Sequence, residues 1–183
     1  ELVDVDRPER VRDAAALVLP GVGAFGAGIE RLRASELDGA LVERVRSGRP
    51  TLAVCLGLQL LARTSEEAPG EQGLGLLEAE VTRFPADVAC PQLGWNTIRA
   101  DEGCELLESG WVAFANSFRI ADPPPGWRCA VADHGGDFVA AIEREAVLGC
   151  QFHPELSGEF GARLLGRWLE RAGLTTAAVG GVA

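Results

Sequence analysis

Apolar residues follow two rhythms along this chain. Ala15, Leu17, Val18 and Leu19 make one short continuous apolar run, and Thr51-Leu52-Ala53-Val54-Cys55 makes another. Brief runs without polar alternation are typical of strands covered on both faces. Pro20-Gly21-Val22-Gly23 stops the first run, and Ser47-Gly48-Arg49-Pro50 turns the chain into the second. Between them, Gly28 to Val45 carries helical spacing with a break near Ser35. After the second run Gly57 opens a further helix, Leu58-Gln59-Leu60-Leu61-Ala62, and Leu2 to Val5 reads as a short strand. Strand and helix in alternation predict parallel strands joined by right-handed crossovers.

The second half changes character. Glu78 to Phe84, Asn96 to Arg99, Trp111 to Ala115, Cys129 to Ala132, Phe138 to Glu143 and Val147 to Phe152 read as strands. Several are joined by turns too short for a helix, which predicts hairpins. A last helix is expected from Ser157 to Ala172, capped by Ser157 and ended by Gly173. Its apolar stripe is Phe160, Leu164, Leu165, Trp168 and Leu169. The expected architecture is α/β: an open mixed sheet, parallel at its centre and flanked by helices. One domain is expected over residues 1–173, with 174–183 a flexible tail.

Composition narrows the function classes. Seventeen basic against 27 acidic residues give a net charge of −10. Such a surface repels phosphate backbones and anionic lipid, which argues against nucleic acid or a membrane as the main partner. No apolar run approaches the roughly 20 residues of a transmembrane helix, and the opening residues carry no basic stretch of the kind that begins a signal peptide. Cys55, Cys90, Cys104, Cys129 and Cys150 are odd in number and lack C-x-x-C spacing, which disfavours a disulfide framework and a zinc site. A reducing cytoplasm is the expected compartment.

Three segments could carry chemistry. In Ala53-Val54-Cys55-Leu56-Gly57 small residues stand two positions to either side of a cysteine, at a strand-to-helix turn. A sharp turn of that kind presses backbone against backbone and leaves the nucleophile standing at the end of the sheet. The helix N-terminus there favours thiolate over thiol. In Gln151-Phe152-His153-Pro154-Glu155 a strand runs into His153, and Glu155 two residues on can face the same side. His153 would take the proton of Cys55, and Glu155 would fix the imidazole tautomer. The chain's other histidine, His134, stands beside Gly135-Gly136 and reads as a turn residue. The third segment, Gly21-Val22-Gly23-Ala24-Phe25-Gly26, matches the dinucleotide fingerprint G-x-G-x-x-G. The strand that follows ends in Cys55 and offers no acid for a ribose. The same loop can instead aim backbone N–H groups at an oxyanion, together with the N–H of Leu56.

In this order the three segments resemble class I (triad) glutamine amidotransferases, which have a flavodoxin-like fold. The nearer likeness is to the glutaminase subunits of imidazole glycerol phosphate synthase. It rests on L-P-G-V-G-A-F-G at Leu19 to Gly26, V-C-L-G-L-Q-L-L at Val54 to Leu61, G-L-G-L-L at Gly73 to Leu77, G-W-N at Gly94 to Asn96 and Q-F-H-P-E-L-S-G at Gln151 to Gly158. The resemblance implies that Cys55 is the nucleophile, His153 the base and Glu155 its orienter. It implies an oxyanion hole at the backbone of Val22 and Leu56. It implies a glutamine pocket at Gly23, Gln59, Glu67, Asn116, Ser117 and Phe118. Trp95 and Asn96 would meet a (βα)₈ cyclase that receives the ammonia and makes imidazole glycerol phosphate and AICAR in histidine biosynthesis. No cofactor and no metal are implied. Relatives usually carry His where this chain has Gln92 and Asn116, a hydroxylated aromatic at Phe118 and Lys at Leu156. They also carry roughly 25 further residues before the first one here, supplying a central strand, so an N-terminal strand is expected to be missing. Three alternatives stay open: a partner-binding module of impaired activity, the glutaminase of pyridoxal phosphate synthesis, and a nucleotide-dependent oxidoreductase resting on the glycine loop.

Overall fold

A computed structural model describes residues 3–174 of the 183. Of the expected tail, all but Leu174 lies outside the described residues. The parallel βα half comes first: α1 (Pro8–Asp13), β1 (Leu17–Leu19), α2 (Phe25–Ala34), α3 (Asp38–Arg46), β2 (Thr51–Val54) and α4 (Leu56–Leu60). Eight strands follow: β3 (Thr64–Ser65), β4 (Glu80–Arg83), β5 (Gln92–Ala100), β6 (Gly110–Asn116), β7 (Phe118–Ile120), β8 (Arg128–Asp133), β9 (Asp137–Arg144) and β10 (Val147–Cys150). A 3₁₀ turn, Pro154–Leu156, leads into the last helix, α5 (Gly158–Arg171).

Seven strands form one sheet in the order β1-β2-β10-β9-β8-β5-β6. β2 runs parallel to β1 and to β10, with Leu19 level with Ala53 and Cys150 level with Val54. The remaining neighbours are antiparallel, as the short turns predict. Alternation along β2 splits the core between the two faces. Ala53 joins Phe25, Ile29, Leu41, Leu58 and Leu61 on the side of α2, α3 and α4. Leu52 and Val54 join Phe114, Phe152, Phe160, Leu164 and Trp168 on the side of α5. The apolar stripe expected on α5 is thus what binds it to the sheet, and Trp168 anchors it further by donating its indole N–H to Ala146 O at 3.0 Å. A second sheet, β3-β4-β7, meets the first where β6 turns into β7 at Ser117.

Several expectations are corrected. Val3 to Val5 form no strand; the first element is α1, which starts at Pro8, where a missing N–H is no loss and φ is already helical. β5 starts at Gln92, four residues before the expected Asn96. Gly94 and Asn96 break the alternation there, but the ladder to β6 holds from Gln92 opposite Asn116 onward. The helix after the second apolar run begins at Leu56. Ser157 makes no side-chain cap on α5. Its hydroxyl instead donates to His153 O at 2.6 Å and accepts the N–H of Ala113 at 3.0 Å, which ties the 3₁₀ turn to β6.

Candidate functional site

Cys55 stands between β2 and α4 with φ 53° and ψ −111°, a left-handed conformation rare for a residue with a side chain. Strain of this kind persists only where the surroundings over-determine it. Here they do. The Cys55 N–H donates to Cys150 O at 2.7 Å, which clamps the elbow to β10. A Cβ on Gly57 would lie 2.1 Å from Leu19 O, and one on Gly21 would lie 2.5 Å from Gly57 N. The two glycines let β1, the glycine loop and the elbow close on one another. That close packing is the use the structure finds for the first glycine of the loop.

The sulfur is mostly buried. The Leu56 N–H lies beside it, and Gln151 Nε2 contacts it at 3.7 Å. Burial pushes the thiol above its usual range. The Leu56 N–H pulls it back, and the charge of Glu155 adds to the rise. Desolvation thus outweighs the expected pull of the helix end, and α4 is only five residues long. At rest Cys55 is a thiol that needs a base.

His153 lies three residues beyond β10, the parallel neighbour of β2. Its backbone pairs with Ala113 of β6, and its ring is nearly buried. Phe152 points into the core against Phe114 and Phe160, so alternation returns His153 to the side of Gln151, which touches the sulfur. His153 Nδ1 meets Glu155 Oε1 at 2.7 Å. With Nδ1–H donating to that carboxylate, Nε2 is left as the acceptor. Pro154 opens the tight turn that brings the two side chains together.

The other expected site residues divide. Gln59 and Asn116 are buried, and both donate to Phe118 O, at 3.1 and 3.0 Å. Ser117 lies at the corner between β6 and β7, and its carbonyl accepts the N–H of Phe84. Glu67 accepts the N–H of Phe25 at 2.7 Å, so it holds the exit of the glycine loop at the start of α2. Gly23 has φ 104° and open space where a Cβ would stand, and the Val22 side chain is exposed. Trp95 is exposed on the outer face of β5 beside Leu93, with its ring edge close to Gly158. Asn96 turns its side chain inward along the sheet and donates to Asp133 O at 2.8 Å. His134 bridges to Ala89 O from its turn, away from this site. Among the described residues no group of three or more His, Cys, Asp or Glu could hold a metal ion, and no helix is long and apolar enough to cross a membrane.

Sequence reasoning missed Gln151 as a site residue. It also missed two buried charges that hold the frame. Arg44 donates to Val11 O, Ala14 O and Pro50 O, and Glu143 accepts the N–H groups of Glu105, Leu106 and Leu107. Their signal was faint: each stands among other charges, Arg44 beside Glu43 and Arg46 and Glu143 beside Arg144 and Glu145, so nothing local marks it as buried.

Residues 2–171 match the family described as glutamine amidotransferase class-I. A protein of Symbiobacterium thermophilum named imidazole glycerol phosphate synthase subunit HisH is 39% identical over 89% of this chain and 79% of its own. The protein of that name from Gloeobacter violaceus is 39% identical over 94% of this chain and 79% of its own. A crystal structure titled glutamine amidotransferase superposes with a TM-score of 0.71 at 26% identity, over 93% of this chain and 85% of that one.

Proposed function

The chain belongs to the class I glutamine amidotransferase family, among the glutaminase subunits of imidazole glycerol phosphate synthase, and we propose that it hydrolyses the side-chain amide of glutamine through Cys55, His153 and Glu155. The observation that carries this reading is the strained cysteine at the carboxyl end of β2, beside a strand whose following turn carries a hydrogen-bonded imidazole–carboxylate pair. His153 Nε2 takes the thiol proton, and the sulfur attacks the amide carbon. The developing oxyanion is held by backbone N–H groups of Leu56 and of the Val22 loop. His153 returns its proton to the nitrogen, the C–N bond breaks, and ammonia leaves. Water, deprotonated by His153, then cleaves the thioester to give glutamate and restore the thiol. Glu155 holds the imidazole in one tautomer and balances its charge throughout.

We further infer a domain spanning 1–173 that docks on a (βα)₈ cyclase and passes its ammonia directly into the synthesis of imidazole glycerol phosphate and AICAR. Leu93, Trp95 and Leu156 are exposed apolar side chains near the His153 turn, which suits them as docking anchors. The amino-acid end of glutamine would rest on the corner at Asn116, Ser117 and Phe118, with Gly23 and Gln59 beside it. The test is glutamate release from glutamine with and without a cyclase barrel. Release is expected to rise when the barrel is added and to vanish in Cys55→Ala. Undiminished release from Cys55→Ala would refute the mechanism.

A further inference from the structure

Gln151 lies between two fully buried apolar residues, Cys150 and Phe152, and is itself fully buried. A buried carboxamide must have its donors and acceptor met. Its backbone N–H is spent on Ala140 O at 2.8 Å, which sets it in register with β9. Its side-chain oxygen lies 2.9 Å from Gln59 Nε2, and its nitrogen lies 3.7 Å from Cys55 Sγ.

Which end of the amide faces the sulfur follows from its neighbours. Phe118 O can only accept, so the atom of Gln59 that meets it is the NH₂ group. That same nitrogen meets Gln151, which must therefore present its oxygen there. The NH₂ of Gln151 is left facing Cys55. Reversing Gln151 would set two donors against each other, and reversing both amides would set an oxygen against a carbonyl.

We propose that Gln151 is a positioning residue of the Cys55 site: its side-chain N–H holds the sulfur, and its carbonyl, through Gln59, ties the sulfur to the Asn116–Phe118 corner. This deepens the glutaminase reading and rests on it. A thiolate accepts a hydrogen bond far more strongly than a thiol does, so the contact favours the ionised sulfur. The titratable groups near that sulfur are His153 and Glu155 on the turn after β10 and the buried Cys150 thiol on β10. β1, β2, α4 and the loop from Pro20 to Ala24 present none. Gln151 thus works against the burial and the Glu155 charge that favour the thiol. The relay ends on the carbonyl that also receives Asn116, so sulfur and corner share one set of hydrogen bonds.

The test reads the thiol and not turnover. Cys55 in the full chain is alkylated with iodoacetamide across pH and followed by peptide mass, with exposed Cys90 as the internal reference. Gln151→Met keeps the length and removes the donor. Gln151→Glu keeps the acceptor for Gln59 and adds a like charge. Both are expected to move the Cys55 profile to higher pH, by about one unit for Gln151→Met, or about tenfold slower labelling at a fixed pH below the midpoint. Cys90 should be unmoved. A profile that matches wild type in folded variants overturns the proposal, even if their melting temperature has dropped. Should the variants not fold, wild type suffices: the side-chain amide ¹⁵N resonance of Gln151 must shift over the pH range in which Cys55 ionises. An unmoved resonance overturns the proposal. Loss of glutamine turnover would leave these readouts intact, so the two readings fail separately.

Discussion

Buried polar side chains set how firmly the frame around the site is held, and Glu143 is the clearest case. It is 5% exposed, and its carboxylate accepts three backbone N–H groups at 2.6, 2.9 and 2.7 Å. A carboxylate has the lone pairs for three donors, whereas an amide must turn its NH₂ toward one of them. Glu143→Gln is therefore expected to lower unfolding free energy by about 1–3 kcal/mol, the cost of a buried donor left unmet. Urea denaturation measures it. A smaller loss would mean that the segment from Glu105 to Leu107 relaxes around the change. Cys55 and His153 were legible in the chain because small flanking residues and the H-P-E spacing constrain the backbone directly. Gln151, Glu143 and Arg44 were not, since their roles come from partners 30 or more residues away, except for Arg44 with Pro50 and Thr51. Local pattern carries no information on such pairings.

Among the elements, α5 governs the turn that bears His153 and Glu155. A Cβ on Gly161 would lie 1.8 Å from Pro154 O and 2.7 Å from its carbonyl carbon, so helix and turn cannot both keep their places. Gly161→Ala is expected to lower the melting temperature and to cut glutamine hydrolysis by up to about 10²-fold, the scale of a misplacement of about 1 Å. Gly166 on the same helix has no atom within 4 Å of such a Cβ. Gly166→Ala should instead stabilise by roughly 0.5–1 kcal/mol, with activity unchanged. Equal losses from both substitutions would mean that the helix, and not its contact with the turn, is at fault. The elements that were readable were those with a sustained pattern: the buried runs of β1 and β2, the stripe of α5 and the apolar runs of β8 and β9. β3 and β7 span two and three residues, too few for a period to declare itself, and they exist because β4 lies between them.

Across the whole molecule the fold holds several thiols protonated. Burial pushes Cys104 up to about 11 and Cys129 up to about 12, and it drives Cys55 and Cys150 above their usual range as well. In the unfolded chain these groups ionise near pH ~8.5. Above that pH the folded state therefore binds more protons than the unfolded one, and stability falls as pH rises. The window is clean. All 17 basic residues are arginine and there is no tyrosine, so cysteines are the only side chains with ordinary values between pH 8 and 10. Arg44, which burial holds down to about 10, begins to lose its proton only at the upper edge. The urea midpoint should drop between pH 8 and pH 10, and by less in Cys150→Ala than in wild type. A flat profile would mean that the thiols ionise as readily in the fold as outside it.

The central claim is that the Cys55 sulfur and the His153 imidazole act as one unit on a glutamine-shaped substrate. The direct measurement is covalent capture by a chloroketone analogue of glutamine, read by peptide mass in wild type and in His153→Ala. The account predicts a single adduct on Cys55 in wild type, at least about 10²-fold slower to form without the imidazole. Capture on Cys55 at the same rate in both proteins, or capture on exposed Cys90 alone, would contradict it.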